Sequence, residues 1–212
     1  MSTAINKLLD ISSDPLSLDK PVFGSALFSK ASPFGDPLLA LLEQRNGFFA
    51  FESALHVFPT QSSSQSVGLV EWNCEELWKG LYPELAAGCL FFAEDIFGCQ
   101  FCIREGEIQL FEPETGELSF FAKDLENWAG CILDDFEFAT GYPLAREWQA
   151  SNGALAEGQR LIPKIPFVMG GEYQLDNLYS LDAVKAMQLR ADIARQIRGL
   201  PDGTHTRLKV TD

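Results

Sequence analysis

Four short apolar runs between residues 89 and 122 constrain the fold of this chain more than any other feature. Each run is rich in aromatic or branched side chains, and breaks that contain Gly or Pro separate them. The runs are CLFFA, CQFCI, EIQLFE and GELSFFA, and the breaks are EDIFG, REG and PETG. Short strands divided by such turns predict an antiparallel meander of four strands.

An adjacent pair of carboxylates, Glu94 and Asp95, interrupts the most apolar part of this meander, LFFAEDIFGCQF. The pair falls where the first predicted strand ends, and Gly98 supplies the permissive backbone of a turn. This placement predicts that both carboxylates reach water at a hairpin tip while the phenylalanines point inward. An active site, a metal site and a recognised loop are the alternative explanations for such a pair.

Helical patterns flank the meander on both sides. Asp36 followed by Pro37 predicts a helix start, Asn73 with Glu76 resembles a capping box, and Ser180 is a candidate cap for a last long helix. A further helix is predicted over AKDLENWAGCILDDF, whereas FFAFESALHVFP is ambiguous between a strand and a short helix. Segregated strands and helices predict an α+β fold, a central antiparallel β-meander sheet with helices packed around it.

The chain divides into three predicted parts. Residues 1–36 form an irregular lead-in, residues 37–140 form the α+β core, and residues 141–212 form a helical and extended extension packed on the same domain. The extension is expected to end in a strand, THTRLKV. No run approaches the ~18 apolar residues of a membrane span, and the amino end lacks the pattern of a signal peptide. We therefore expect a cytoplasmic protein whose five cysteines are reduced thiols.

Negative charge is concentrated in the middle of the chain. Thirty acids against sixteen bases give a net charge of −14, and residues 84–137 hold thirteen of the acids with only Arg104 and Lys123 as bases. Nucleic acid and anionic membranes would be repelled by this block, whereas a basic partner would be attracted. A merely solubilising surface is the alternative interpretation.

Catalytic and metal-binding patterns are weak in this sequence. Cys99 and Cys102 form a C-x-x-C motif, but they lie in a predicted strand, where positions three apart point to opposite faces. The two histidines, His56 and His205, do not complete a zinc-binding set, and His56 is expected to be a hydrogen-bonded core residue. We therefore expect no metal, no cofactor and no enzymatic activity.

The assembled pattern resembles the SUKH superfamily of Smi/Knr-type proteins. The resemblance covers most of residues 37–133, about half of the chain. It is carried by NGFFAFESALHVFP, EWNCEELWKGLYP, LFFAEDIFGCQFCI and IQLFEPETGELSFFAKDLENW. It implies an α+β fold and a binding role without a fixed catalytic set. Many bacterial members are similar to immunity proteins that neutralise toxins, often nucleases, and fungal members resemble regulators of cell-wall signalling.

These observations together predict a non-catalytic immunity protein that neutralises a basic cognate toxin through an acidic surface. The predicted contact residues lie at or beside the turns of the meander, and Phe97 is the candidate apolar anchor among them, with core packing as its alternative. The set is Glu94, Asp95, Phe97, Glu105, Glu107, Glu112, Glu114 and Glu117. The alternative function is a regulatory or scaffold protein that binds a cellular partner or a small ligand.

Overall fold

A computed structural model describes residues 3–22, 24–201 and 203–204 of the chain, and its strands confirm the predicted meander. The strands are Phe48–Ala50 (β1), Leu55–Val57 (β2), Leu90–Asp95 (β3), Gln100–Arg104 (β4), Glu107–Glu112 (β5), Glu117–Ala122 (β6), Gln159–Pro163 (β7) and Leu178–Asp182 (β8). Strands β1 to β6 form one antiparallel sheet in sequence order, so β1 and β2 extend the predicted four strands to six. Strands β7 and β8 form a separate antiparallel hairpin.

Helices surround the larger sheet, which confirms the α+β class. They are Ala4–Asp10 (α1), Ser25–Lys30 (α2), Gly35–Gln44 (α3), Leu69–Trp72 (α4), Leu125–Asp134 (α5), Phe136–Thr140 (α6), Tyr142–Asn152 (α7) and Ala183–Ile197 (α8). Helices α1 and α2 lie in the stretch that was expected to be irregular. Within the described ranges, none of the helices combines the length and the hydropathy that crossing a bilayer requires.

Aromatic side chains cover both faces of the larger sheet. On one face, Trp78 packs against Phe91 of β3, with ring centroids 5.0 Å apart, and against Trp72 of α4 at 5.4 Å. On the other face, Trp128 of α5 packs against Phe92 at 5.1 Å. Because the two neighbouring phenylalanines of one strand point in opposite directions, α4 and α5 lie on opposite faces of the sheet.

A β-bulge in β3 decides which face Glu94 occupies. Strict alternation would place Phe91 and Glu94 on opposite faces, since they are three residues apart. Phe91 pairs with Cys102 and Glu94 pairs with Gln100, because the register shifts between Phe91 and Ala93. Since Gln100 and Cys102 are two residues apart on β4, their partners share a face. Glu94 therefore points into the aromatic layer that contains Trp78.

The predicted capping box at Asn73 and Glu76 is wrong. Asn73 follows the last residue of α4, and its side-chain amide donates to the carbonyl oxygen of Leu69. Its Oδ1 accepts from the backbone N–H of Phe91 at 2.9 Å, and its amide also donates to the carbonyl of that residue. Asn73 therefore follows the end of a helix. Its side chain pairs with the backbone N–H and carbonyl of Phe91 in β3, so it cannot cap a following helix.

Two other helix starts differ from their predictions. Helix α8 is capped by Asp182, whose Oδ1 accepts from the backbone N–H of Lys185 at 2.9 Å, whereas Ser180 lies within β8. Helix α3 begins at Gly35, so Asp36 lies in its first turn and does not cap it. The predicted closing strand falls, apart from Thr204, outside the described part of the chain.

Candidate functional site

The carboxylate pair in the apolar run is buried, so the prediction that it reaches water is wrong. Glu94 is 1% exposed, and Asp95 is also buried. The reason is that the extension beyond residue 141 covers this end of the sheet and brings in Arg160 from β7. The side chain of Arg160 is itself buried, and its Nε lies 2.8 Å from Oε1 of Glu94.

Buried polar partners surround the carboxylate of Glu94 on both oxygens. Besides Arg160, Oε1 lies 3.0 Å from Nδ1 of His56 on the neighbouring strand β2. Oε2 accepts from the side-chain amide of Gln100 at 2.9 Å, and the amide oxygen of Gln100 accepts from the indole N–H of Trp72 at 2.8 Å. We refer to these five residues as the Glu94 network. A buried carboxylate with this many partners is stable only while all of them are present.

The protonation states in the Glu94 network follow from burial and from the nearby arginine. Burial alone would raise the pKa of Glu94, but Arg160, His56 and Gln100 lower it to about 2. Burial lowers the pKa of His56 to about 4, and the charge of Arg160 acts in the same direction. At neutral pH the imidazole is therefore uncharged and donates from Nδ1 to ionised Glu94. Its Nε2 then accepts from the hydroxyl of Ser66, 2.9 Å away.

The order Ser66, His56, Glu94 reproduces the hydrogen-bond connectivity of a hydrolase triad. Two features separate it from one. Ser66 is only 5% exposed, which leaves a substrate little access to its oxygen. Arg160 contacts the same carboxylate oxygen as His56, so its charge opposes the imidazolium that a general base must form. The geometry therefore fits a buried stabilising network, and His56 is the hydrogen-bonded core residue that was expected.

Asp95 and Phe97 build the β3–β4 turn from inside the protein. Oδ1 of Asp95 accepts from the backbone N–H groups of Phe97 at 2.9 Å and of Cys99 at 2.8 Å. The ring of Phe97 is buried and packs edge-on against Phe167 and Tyr173 of the extension, with centroids 5.7 and 5.5 Å apart. Phe97 is thus a core residue, and its predicted role as a surface anchor is wrong.

Glu112 and Glu114 also serve the fold at this end of the sheet. Half-buried Glu112 accepts from the thiol of Cys99 at 3.2 Å and from the backbone N–H of Glu114 at 3.1 Å. Glu114 is buried, and its Oε2 accepts from the backbone N–H of Val168 in the extension at 2.9 Å. The prediction that Glu114 lies on the surface is therefore wrong, because residues after β7 cover the turn.

The remaining predicted contact residues do not form one rim. Glu105 and Glu117 are exposed, and half-buried Glu107 accepts from the side-chain amide of Gln109. Glu105 and Glu107 flank the β4–β5 turn, whereas Glu117 begins β6 at the other end of the sheet. The six residues of β5 separate the two ends, a distance of about 17 Å. The predicted set is therefore divided between buried positions and the two ends of the sheet.

Asp95 makes the stability of the protein depend on pH, which gives a testable prediction. Burial raises the pKa of Asp95 to about 7, and the charges of Glu112 and Glu94 add to this effect. The folded state therefore takes up a proton as the pH falls below about 7, before the unfolded chain does, and stability rises in that window. Above it, the buried charge destabilises the fold.

Asp95→Asn should therefore be more stable than the wild type at about pH 8, by about 3 kcal/mol. Asn can accept the same two turn N–H groups without a charge. The difference should shrink as the pH falls below about 7 and become small near pH 4, since the carboxyl is then neutral in the folded state and close to its ordinary pKa of 3.8 in the unfolded chain. Urea unfolding at several pH values measures it, and His56 cancels because it is common to both proteins. A stability difference that is independent of pH would contradict the assignment.

A surface that the sequence analysis did not identify lies on α6 and the end of α5. Its members are exposed, acidic or aromatic, and lie close together in the chain. We call it the Phe138 face, and it consists of Asp134, Asp135, Glu137 and Phe138. Phe138 is 89% exposed, among the most exposed of the large apolar side chains described.

Packing of the neighbouring residues fixes the orientation of the Phe138 face. The ring of Phe136 stacks on Phe51 of the β1–β2 turn, with centroids 4.8 Å apart. Two residues further along the helix, Phe138 points away from that contact into solvent. Glu52 lies on the Phe136 side of α6, where its carboxylate accepts from the hydroxyl of Tyr142 at 3.2 Å. The signal in the sequence is the stretch between Lys123 and Arg146, which contains no basic residue.

The excess of acidic over basic side chains lies on the surface of the protein. Among the described residues, the buried Asp and Glu side chains equal the buried Lys and Arg side chains in number, three of each. They are Glu94, Asp95, Glu114, Lys79, Arg160 and Arg190. In the same part of the chain, no group of three or more His, Cys, Asp or Glu side chains is placed to hold a metal ion. The acidic excess is therefore available to a partner in solution.

Comparison with known proteins shows a similar fold and gives no family. No protein-family model matches the chain, and no curated protein sequence matches it. A solved structure, Atu4351 from Agrobacterium tumefaciens, is similar with a TM-score of 0.56 and 14% sequence identity, over 86% of this chain and 86% of that one. At this identity the likeness concerns the fold alone. The SUKH resemblance stays a hypothesis.

Proposed function

We propose that this protein binds a basic protein through the Phe138 face and acts as an immunity protein that neutralises a cognate toxin. The observation that carries the proposal is a phenylalanine that is 89% exposed within a stretch of chain, residues 124–145, that holds acidic but no basic side chains. A large apolar side chain left in water by a well-packed protein is a typical centre of a binding interface. The surrounding carboxylates select partners of opposite charge.

Charge complementarity favours a toxin that acts on nucleic acid. Such an enzyme needs a basic groove for its substrate, and an inhibitor that covers the groove must present negative charge. Asp134 and Glu137 are exposed and lie within four residues of Phe138 in the chain, so an apolar contact would form beside ion pairs. The carboxylates would increase the association rate, and Phe138 would slow dissociation.

The test begins with a tagged chain that captures its partner from the native host at low salt. Mass spectrometry identifies the captured protein, which is then produced alone and together with this chain. We expect a basic protein that arrests growth when expressed alone, and growth that recovers when this chain is co-expressed. The association rate should fall about tenfold between about 50 and about 300 mM salt. A neutral or acidic partner, or toxicity without rescue, would sink the proposal.

A further inference from the structure

The two edge strands of the larger sheet differ in what covers them. At the β1 edge, the backbone N–H of Ser13 donates to the carbonyl oxygen of Phe49 at 2.7 Å, and the hydroxyl of Ser13 accepts from the N–H of Phe49 at 3.0 Å. The segment before β1 therefore closes that edge. At the other edge, the β6 residues Glu117, Ser119 and Phe120 are exposed, Phe120 to 63%. An exposed edge strand is a template for pairing with another strand.

The hydrogen-bond pattern of the sheet decides which groups of β6 point outward. In an antiparallel pair, the N–H and C=O groups of successive residues point alternately to the two sides of the strand. The tight β4–β5 turn closes immediately before Glu107, so this residue bonds to β4. Leu110, three residues further on, therefore bonds to β6, where its partner is Ser119. The residues on either side of Ser119, which are Leu118 and Phe120, thus direct their backbone groups away from β5.

The outward backbone groups of Leu118 and Phe120 are open to a partner. Within the described ranges, neither residue makes a hydrogen bond on that side of β6. Two residues that are two positions apart offer two N–H donors and two C=O acceptors in a row. This is the pattern that an added antiparallel strand satisfies.

We propose that β6 pairs with β6 of a second copy of this chain and forms a twofold-symmetric antiparallel dimer. The twofold axis passes between the two copies of Ser119. Leu118 of each copy then exchanges two hydrogen bonds with Phe120 of the other copy, four in all. Because the same two residues supply donors and acceptors on both sides, the edge is complementary to itself.

The side chains of β6 agree with this register. Leu118 and Phe120 lie two residues apart and share one face of the sheet, so exposed Phe120 covers half-buried Leu118 of the second copy. The strand begins at Glu117, and Lys123 follows its last residue, both of them exposed. Antiparallel pairing brings Glu117 diagonally opposite Lys123 of the second copy, within reach of long side chains. Parallel pairing would instead bring like charges together.

The first test is analytical ultracentrifugation of the purified full chain from about 5 to about 500 µM. We expect a weak dimer with a dissociation constant on the order of 100 µM, because the interface is small and each copy carries a net charge of −14. Raising the salt from about 50 to about 500 mM should tighten the dimer at least about threefold, since it screens this repulsion. A chain that stays monomeric up to about 500 µM at both salt concentrations would overturn the proposal.

The dimer is independent of the proposed binding to a basic partner. The two associations use different surfaces, β6 and the Phe138 face, and the chain alone suffices for the test. They also respond to salt in opposite directions, because the basic partner is attracted by the charge that repels a second copy. The failure of one proposal is therefore distinguishable from the failure of the other.

A matched pair of variants locates the dimer contact on β6. Phe120→Lys removes the exposed ring and places a charge on the edge, so it should raise the dissociation constant of the dimer at least about tenfold. Leu18→Lys makes the same apolar-to-lysine exchange at another exposed position, beside the closed β1 edge, and should dimerise as the wild type does. Circular dichroism confirms the fold of both variants. Equal effects of the two variants would exclude β6 as the interface.

A cysteine cross-link tests the register without weakening the edge. In the proposed dimer, the two copies of Ser119 face each other with Cα atoms about 4.5 Å apart, a separation that a disulfide can bridge. Two copies of Glu117 are offset by about four residues, or about 13 Å, which a disulfide cannot bridge. Both cysteine variants carry Cys74→Ser, because Cys74 is exposed.

Under mild oxidation at about 100 µM protein, Ser119→Cys should form cross-linked dimers at least about tenfold faster than Glu117→Cys. Non-reducing gel electrophoresis measures the rates. Equal rates, or faster cross-linking of Glu117→Cys, would contradict the register and with it the self-complementary pairing of Leu118 and Phe120.

Discussion

Glu94→Lys is expected to unfold the protein at room temperature. The variant removes the anion that neutralises buried Arg160, and it places a second positive charge against it. Breaking a buried ion pair by removing one partner costs about 3–5 kcal/mol, and the like-charge contact adds to this. A domain of this size has a total stability of about 5–15 kcal/mol, so little or none remains. Circular dichroism and urea unfolding measure the loss.

A matched charge reversal separates burial from net charge. Glu117→Lys changes the charge by the same amount in the same sheet, but its side chain is exposed, and its stability should stay within about 0.5 kcal/mol of the wild type. Removing both members of the pair, as Glu94→Leu with Arg160→Met, should restore much of the stability that Glu94→Leu alone loses. If Glu94→Lys proves as stable as Glu117→Lys, the Glu94 network does not form in solution.

The second large effect is expected on partner binding. Asp134→Lys combined with Phe138→Ala should raise the dissociation constant for the identified toxin about 100-fold. The alanine removes the apolar anchor, and the lysine repels the basic partner. The fold should persist, because both side chains are exposed and a cation at the end of α5 is favourable to the helix dipole. Biolayer interferometry gives the rates, and circular dichroism confirms the fold.

A control on the opposite face of the sheet distinguishes a local contact from a general effect of charge. Glu76→Lys with Val70→Ala also reverses one exposed carboxylate and shortens one exposed apolar side chain, near α4. Its affinity should change less than about threefold, mainly through the association rate. Equal losses in the two variants would show that net charge alone governs binding and that the Phe138 face has no special role.

The sequence predicts the meander well because its signals are local. Alternating apolar residues and Gly-bearing turns specify strands and hairpins within a few residues of one another. The burial of Glu94 depends on distant events that no local pattern contains. Arg160 is 66 residues away in a segment broken by proline and glycine, and the bulge after Phe91 reverses the face on which the carboxylate points. The prediction that Glu94 reaches water was therefore wrong for two reasons: a distant segment covers the side chain, and a bulge turns it to the other face of the sheet.

The exposure of Phe97 and of Phe138 also could not be predicted from local patterns. Phe97 lies beside a predicted hairpin tip, which predicts an exposed side chain. Phe167 and Tyr173 of the extension bury it. Phe138 does not stand out in the sequence, although Trp128, Ile132 and Phe136 recur at a spacing of four residues and it falls outside this helical stripe. A large apolar residue off the buried stripe, in a stretch without bases, was the available signal.

The most direct test of the central claim is hydroxyl-radical footprinting of the chain, free and in complex with its basic partner. The reaction reports the solvent exposure of individual phenylalanine side chains. Phe138 and Phe120 are 89% and 63% exposed in the free protein, on α6 and on edge strand β6. We expect the complex to protect Phe138 strongly and to leave Phe120 reactive. Protection of Phe120 with Phe138 still reactive would place the partner on the sheet edge and contradict the account.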